Sequence, residues 1–210
     1  MHLASILENK EIEKRLAVTP EIAKKYIDLG FKLLLPNGYG EHLGFNDEDY
    51  KNLGADILNN EKEIINNAEI IIQLGLLEEE KLSLLKENQT LVGSLNALLN
   101  KEKLEKLKTM RVNCFSLELL PRITRAQSMD ILSSQANLAG YKAVIEAFQA
   151  YERAIPMMMT AAGTIPAAKV LVVGAGVAGL QAIATAKRMG AVVFATDVRM
   201  ASKEQVESLG

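Results

Sequence analysis

Three glycines and one acidic residue have the spacing of a dinucleotide-binding motif. Gly174, Gly176 and Gly179 follow the pattern G-x-G-x-x-G, and Asp197 lies 23 residues after the first of them. The first glycine permits a tight turn, the second lets a pyrophosphate approach the backbone, and the third lets a helix pack closely on the preceding strand. A carboxylate at position 197 can accept hydrogen bonds from both ribose hydroxyls of an adenosine. The motif therefore predicts that the chain binds a nucleotide.

The residues around the glycines predict the elements that such a site requires. Residues 170–173 are typical of a buried parallel strand, and residues 178–189 place apolar groups on one face of a helix. Residues 191–196 predict a second strand that ends at the acid. The backbone amides of Ala175 and Val177 then lie where a helix N-terminus offers N–H groups to a pyrophosphate. The alternative is a tight turn between strand and helix that binds nothing.

Asp197 also bears on the choice of cofactor. A carboxylate at this position repels the 2′-phosphate of NADP, so the sequence favours NAD. Arg199 lies two residues further on and could serve a phosphate, or it could simply face water. The candidate cofactor-binding residues are Gly174, Ala175, Gly176, Val177, Gly179, Asp197 and Arg199.

The composition argues against several classes of function. With 210 residues, 49% of them hydrophobic, the chain can bury a substantial core. The net charge of −2, without a basic block, argues against nucleic acid as a partner. The single cysteine, Cys114, rules out an internal disulfide, and its neighbours predict a thiol packed in a buried strand. His42 has no companion at metal-ligand spacing, so no metal site is predicted.

Nothing in the sequence predicts a membrane span or a signal peptide, because no apolar run approaches about 18 residues. We expect a soluble, cytoplasmic chain with no direct membrane insertion, while a membrane-bound partner stays open.

Alternating strand and helix patterns predict an α/β fold. We expect two Rossmann-like or flavodoxin-like parallel-sheet domains joined by a long helix, with the second domain truncated at the C-terminus. The expected divisions are an N-terminal α/β domain at 1–130, a linking helix and loop at 131–166, and the first part of an NAD-binding domain at 167–210. The linking segment is predicted as a helix from Asp130 to Tyr151, followed by a loop from Ala154 to Pro166. The pairs Leu84/Leu85 and Leu98/Leu99 are expected in the core.

The expected elements of the first domain alternate at regular spacing. Strands are predicted at 3–7, 31–35, 69–74, 90–95 and 111–117, helices at 20–29, 47–53, 60–67, 78–86 and 100–108, and an apolar patch at 55–58.

A second group of polar residues precedes the long helix. The loop at 121–130 contains a guanidinium at Arg122, an amide at Gln127 and a carboxylate at Asp130, and Ser133 follows. Together these groups could hold a carboxamide, since arginine donates to its oxygen while aspartate or serine accepts from its NH₂ group. The alternative for each residue alone is a helix cap, a contact with the helix dipole, or a solvated side chain.

Long stretches of the chain are similar to a known family. The segments PRITRAQSMDILSSQANLAGYKAV, MMMTAAGTIPAAKVLVVGAGVAGLQAIATAKRMGA, ATDVR and KEQVESLG carry the similarity. They closely resemble domain I, the NAD(H)-binding component of the alpha subunit of proton-translocating nicotinamide nucleotide transhydrogenases. The resemblance extends over essentially the whole chain and is densest after residue 118.

The resemblance implies an activity and partners. Domain I of this family binds NADH and passes a hydride directly to NADP⁺ on domain III, and a membrane domain couples that transfer to proton transport. It implies a homodimer on the cytosolic face of an inner-membrane complex. Arg122, Asp130 and Ser133 would orient the nicotinamide, and Gln127 would reach towards the second nucleotide. No residue need act as acid, base or nucleophile.

Two other functions stay open. Alanine dehydrogenases of the same superfamily use a lysine and a histidine where this chain has Gln73 and Ser94, although Arg15, which holds the substrate carboxylate there, is kept. An amino-acid oxidation needs a base, and neither replacement supplies one. A salt bridge would equally explain Arg15. The third possibility is a non-catalytic fragment that binds NAD or dimerises.

Overall fold

The computed structural model describes all residues from 1 to 210. The chain separates into two compact units, Met1–Met129 and Asp130–Gly210. None of its helices combines the length and the apolar character that crossing a membrane requires.

The first unit is built on a six-stranded sheet in which all neighbouring strands are parallel. The strands are β1 His2–Ala4, β2 Lys32–Pro36, β3 Asp56–Leu58, β4 Ile70–Ile72, β5 Thr90–Gly93 and β6 Asn113–Ser116. Their spatial order is β3-β2-β1-β4-β5-β6, so the chain reverses its direction of progression between β1 and β4. This is the strand order of doubly wound folds, in which ligands bind outside the carboxyl ends of the strands at the reversal.

Helices cover both faces of this sheet. They are α1 Pro20–Asp28, α2 Asp47–Lys51, α3 Glu61–Asn67, α4 Glu79–Leu82 and α5 Lys101–Thr109. Successive residues of a strand point to opposite faces. Leu33 of β2 therefore packs with Ala23 of α1 and Tyr50 of α2, whereas Leu34 belongs to the core that contains Ile64 of α3 and Leu82 of α4.

The second unit is a strand–helix–strand unit supported by a long helix. Its elements are α6 Ile131–Ala150, β7 Met158–Thr160, β8 Gly163–Ile165, β9 Lys169–Val173, α7 Val177–Arg188, β10 Val192–Thr196 and α8 Ser202–Ser208. β9 and β10 are parallel, and their residues Val170 and Val193 share a core with Ala182 of α7 and Val144 of α6. α6 and α7 pack very closely where Gly140 meets Ala178, because a Cβ at position 140 would lie 2.8 Å from the carbonyl carbon of Ala178.

The expected α/β fold with a parallel sheet is confirmed, and the connections before and after α6 differ from expectation. The predicted loop at 154–166 contains the antiparallel hairpin β7–β8. Gly163, at φ 133°, turns the chain there, and the Thr160 hydroxyl donates to its carbonyl oxygen at 3.1 Å. The predicted loop at 121–130 contains a 3₁₀ helix, Thr124–Met129.

Three predictions about burial were wrong. The strand predicted as buried at 170–173 is covered on one face only: Leu171 and Val173 are 65% and 78% exposed, because alternate residues of β9 point away from the core that contains Val170 and Val172. Cys114 lies on β6, but it is exposed, as is its neighbour Phe115, because β6 is an edge strand and the packed cores do not include these side chains. Leu98 and Leu99 are 75% and 87% exposed because they lie in the turn before α5 rather than inside it. An apolar pair does not show by itself which neighbours will cover it.

Candidate nucleotide-binding site

The glycine loop connects β9 to α7. The structure gives a different reason for a glycine at each of its three glycine positions. Gly174 has φ 94°, a left-handed conformation that favours glycine. A Cβ at Gly179 would lie 2.8 Å from the carbonyl carbon of Gly174 and closer still to its oxygen, so α7 leaves no room for a side chain there. At Gly176, the residue that caps α7, a Cβ would meet no atom within 4 Å. This open space is where a ligand can reach the backbone.

Asp197 lies directly after β10 and is tied to the glycine loop. Its Oδ2 atom accepts a hydrogen bond from the Ala175 N–H at 2.7 Å, and its Oδ1 atom accepts one from the Arg199 N–H at 2.8 Å. The Gly174 N–H in turn donates to the Thr196 carbonyl oxygen at 2.7 Å. The carboxylate predicted to bind ribose is thus held beside the loop predicted to bind pyrophosphate.

The side chain of Arg199 forms an ion pair with the same carboxylate. Its Nε atom donates to Oδ1 of Asp197, and an Nη atom donates to Oδ2, both at 3.0 Å. These hydrogen bonds, together with the one from the Ala175 N–H, hold the pKa of Asp197 well below its usual range. The same ion pair raises the pKa of Arg199. Asp197 therefore remains a carboxylate at any physiological pH.

Two shallow pockets adjoin this ion pair. One has a volume of about 290 Å³ and is lined by Val173, Gly174, Thr196, Asp197, Val198 and Arg199. The other, of about 360 Å³, shares Asp197 and Arg199 and extends along α8 past Lys203. The first lies at the carboxyl ends of two parallel strands, where open α/β sheets bind ligands.

Asp130 and Ser133 meet at the start of α6. Asp130 is the cap of this helix: its Oδ1 accepts from the Ser133 N–H at 2.9 Å, and its Oδ2 accepts from the Ser133 hydroxyl at 2.6 Å. Arg122 and Gln127 lie in the first unit with exposed side chains, Gln127 on the 3₁₀ helix. Their predicted contacts with a nicotinamide stay predictions.

The first unit has its own pocket at the sheet reversal, and this pocket brings together Arg15, Gln73 and Ser94, the three positions at which the sequence was compared with alanine dehydrogenases. It measures about 310 Å³, and residues that follow β1, β4 and β5 line it, among them Glu8, Gln73 and Ser94. The two cations on its wall are held by acids: Arg15 donates to Glu13 at 2.8 Å and 2.5 Å, and Lys81 pairs with Glu61 at 2.9 Å.

Gln73 is the buried centre of a polar network at this pocket. Its Oε1 atom accepts from the Ser5 hydroxyl at 2.9 Å and from the Ile6 N–H at 2.8 Å. Its Nε2 atom donates to Glu8 at 3.2 Å, and Glu8 also accepts from the Leu74 N–H at 2.7 Å. Burial raises the pKa of Glu8. The amide of Gln73 is thus used within the protein.

His42 contacts the main chain of another segment of the first unit. Its Nε2 atom lies 2.9 Å from the carbonyl oxygen of Lys14.

Known proteins resemble this chain over its whole length. The family model described as "Alanine dehydrogenase/PNT, N-terminal domain" matches residues 6–139, and its C-terminal counterpart matches residues 143–210. A relative from Rhodospirillum rubrum, named as the first portion of an NAD(P) transhydrogenase alpha subunit, is 49% identical over 215 residues, or 100% of this chain and 56% of the relative. The chain thus spans about half the length of the curated relatives that it matches.

Solved structures also resemble this chain. A transhydrogenase from Sinorhizobium meliloti superimposes with a TM-score of 0.91 at 46% identity, covering 99% of this chain and 62% of that one. An L-alanine dehydrogenase gives a TM-score of 0.83 at 23% identity, covering 100% and 58%, which shows a shared fold. The resemblance to transhydrogenase alpha subunits read from the sequence is confirmed, and the chain belongs to the alanine dehydrogenase/PNT family.

Proposed function

We propose that the chain is the NAD(H)-binding component of a proton-translocating transhydrogenase, in which a hydride passes directly between NADH and NADP⁺ bound on a partner domain. The observation that carries the proposal is the pairing of the glycine loop with Asp197 at the carboxyl ends of β9 and β10. Two relatives named as portions of NAD(P) transhydrogenase alpha subunits, at 49% and 46% identity, support the choice of this reaction.

The adenosine half of NAD(H) would bind in the second unit. The N–H groups of the first helical turn have no partner within a helix, so those of α7 from Val177 onward can bind a pyrophosphate, helped by the helix dipole. The missing side chain of Gly176 leaves space for its approach. Asp197 would accept the ribose hydroxyls, and its charge would repel a 2′-phosphate, favouring NAD(H) over NADP(H).

The nicotinamide half would be oriented by Arg122, Asp130 and Ser133, with Gln127 directed towards the second nucleotide. The hydrogen bond from the Ser133 hydroxyl fixes the orientation of the Asp130 carboxylate. The Asp130 carboxylate and the Ser133 hydroxyl oxygen would then be preorganised acceptors for a carboxamide NH₂ group. Arg122 would donate to the carboxamide oxygen. The nicotinamide ring supplies the hydride chemistry, and the chain supplies position and orientation.

The remaining parts of the proposal concern partners and location. The NADP(H)-binding domain III and the membrane domain would be separate from residues 1–210, which would act on the cytoplasmic side without entering the membrane or binding nucleic acid. Within the chain we retain an N-terminal domain at 1–130, a linking segment at 131–166 and a nucleotide-binding segment at 167–210.

We also propose a homodimer that involves the β7–β8 hairpin. Every residue of the two strands is exposed, including Met159 at 77%, Met158 at 47% and Ile165 at 44%. An isolated two-stranded hairpin is only marginally stable in water. A second copy of the chain would bury these side chains. Replacing Met159 by Lys should shift the mass measured by light scattering towards the monomer, and an unchanged dimer would exclude the hairpin from the interface.

An alanine-type dehydrogenase is the second candidate, favoured by the pocket at the sheet reversal and by Arg15 on its wall. The hydrogen bonds at this pocket disfavour a dehydrogenase, because Gln73 is hydrogen-bonded within the protein and Arg15 donates to Glu13. Oxidation of alanine with NAD⁺ alone would establish this activity and refute the transhydrogenase proposal.

The decisive experiment measures hydride transfer from NADH to an NADP⁺ analogue in the complete protein with its NADP(H)-binding partner. Replacing Arg122 by Ala should lower the transfer rate by about 100-fold, the effect expected of a misplaced reactant. Arg125→Ala is the matched control, because it removes an exposed arginine from the same segment. Equal rates for the two variants would remove the role given to Arg122. If the wild-type complex transfers no hydride, the transhydrogenase proposal fails, and the remaining possibility is a non-catalytic fragment that binds NAD.

A further inference from the structure

The carboxylate of Asp197 has no vacant acceptor position. A carboxylate offers about four lone-pair sites, two on each oxygen. Oδ1 accepts from the N–H and the Nε–H of Arg199, and Oδ2 accepts from the Ala175 N–H and a guanidinium N–H of Arg199. A ribose diol needs one site on each oxygen, so it can bind only after some donor leaves.

The four donors fall into two pairs of different character. The backbone donors, at Ala175 and at the main chain of Arg199, are fixed by the glycine loop and by the turn after β10. The guanidinium donors belong to a flexible side chain that is 62% exposed, whereas the Asp197 side chain is only 10% exposed. Because the guanidinium contributes one donor to each oxygen, its departure vacates the two positions that a pair of adjacent hydroxyls would use.

We propose that the Arg199 side chain is an internal occupant of the ribose site, which the ribose diol of the nucleotide displaces. This inference rests on the proposed nucleotide-binding function. Arg199 satisfies the carboxylate when no nucleotide is present, and it lowers the apparent affinity by the fraction of molecules in which it occupies the site. The displaced guanidinium remains in solvent beside the pocket along α8. The backbone donors continue to orient Asp197 throughout.

The size of the effect follows from the exposure of the Arg199 guanidinium, the partner of the ion pair that faces solvent. Exposed pairs are weak and are screened by salt. An occupant held this weakly reduces apparent affinity by about two- to sixfold at low ionic strength, and by less as salt rises. A residue that bound the nucleotide directly would have the opposite effect, because its removal would weaken binding.

The test is a titration of the complete protein with NADH, followed by nucleotide fluorescence at low and high salt. Arg199→Met and Arg199→Gln should each bind NADH about two- to sixfold more tightly than wild type at low salt, and this advantage should shrink at high salt. Lys203→Met is the matched control, because it removes the same charge from an exposed side chain that pairs with Glu207, at 3.7 Å, instead of with Asp197. It should give no gain in affinity.

The outcomes separate the inference from the function on which it rests. Equal or weaker binding by both Arg199 variants, in proteins that unfold at the wild-type temperature, would overturn the role of Arg199 while leaving NADH binding established. A similar gain in Lys203→Met would overturn it as well, since the effect would then be one of general charge. Failure of the wild type to bind NADH would instead remove the proposed function.

Discussion

The close approach of α7 to the glycine loop makes a sharp prediction for Gly179→Ala. The new Cβ would lie 2.8 Å from the carbonyl carbon of Gly174, whereas non-bonded carbons prefer about 3.5–4.0 Å. Because the Cβ would lie closer still to the Gly174 oxygen, the helix and the loop must separate by more than the roughly 0.7 Å that the carbon contact alone requires. Overpacking of this kind costs about 1–3 kcal/mol, and the better helix propensity of alanine returns at most about 1 kcal/mol. Because the oxygen contact puts the cost at the upper end of this range, we expect a net loss of about 2 kcal/mol in the free energy of unfolding.

Gly176→Ala separates stability from binding. This residue has φ −79° and no neighbour within 4 Å of an added Cβ, so the variant should keep its stability within about 0.5 kcal/mol. The methyl group would nevertheless occupy the space through which a pyrophosphate reaches the backbone, and NADH affinity should fall by about tenfold or more. Urea denaturation and NADH titration of both variants test the reasoning. Equal stability of the two alanine variants, or wild-type binding by Gly176→Ala, would refute it.

Three further predictions concern buried or capping groups. Burial raises the pKa of Glu8, so its contribution to stability is complete below the unfolded-state value of 4.5 and is lost as pH rises above it. Glu8→Gln should therefore be more stable than wild type at pH 7, and its stability should depend less on pH above about 4.5. Burial raises the pKa of Tyr39 to about 12, so the stability of the protein should hold up to about pH 10 and fall between about pH 10 and 12. Tyr39→Phe should reduce that fall. The variant should also cost about 1–3 kcal/mol at pH 7, because the Ser5 hydroxyl and the Val18 N–H lose a buried partner. Asp130→Ala should cost about 0.5–2 kcal/mol through loss of the α6 cap, whereas Asp130→Ser should restore stability. Hydride transfer at the wild-type rate in Asp130→Ala would show that Asp130 only caps the helix.

Local sequence signals predicted those parts of the fold that depend on local interactions. The alternation of apolar runs with glycine- and proline-bounded helices identified the parallel sheet, because each strand and helix has its own pattern. The spatial order β3-β2-β1-β4-β5-β6 could not be predicted in this way, since it depends on contacts between distant segments. The β7–β8 hairpin was missed because three-residue strands rich in methionine and threonine, joined by an Ala-Ala turn, resemble a loop.

Burial was harder to predict than secondary structure. The strand around Cys114 was identified, but an apolar edge strand looks the same in sequence as a central one, and only the neighbours decide whether its side chains are covered. The glycine loop was more tractable, because the positions of its glycines follow from backbone geometry. The polar network of Gln73 and Glu8 was missed because it depends on contacts between distant segments. These two residues are 65 positions apart in the chain and meet only because β1 and β4 are neighbours.

The two halves of the candidate nucleotide site depend on each other through Asp197. Its carboxylate accepts the Ala175 N–H, so the acid that would select the ribose also fixes the glycine loop that would hold the pyrophosphate. A neutral residue at position 197 would weaken both at once, because an amide offers one acceptor oxygen where the carboxylate offers two. Ribose selection and loop geometry therefore cannot be altered independently at this position. Arg199 differs, since its side chain bonds the carboxylate from the solvent side and leaves the bond to Ala175 in place. Nucleotide affinity can therefore be changed through Arg199 while the glycine loop keeps its shape.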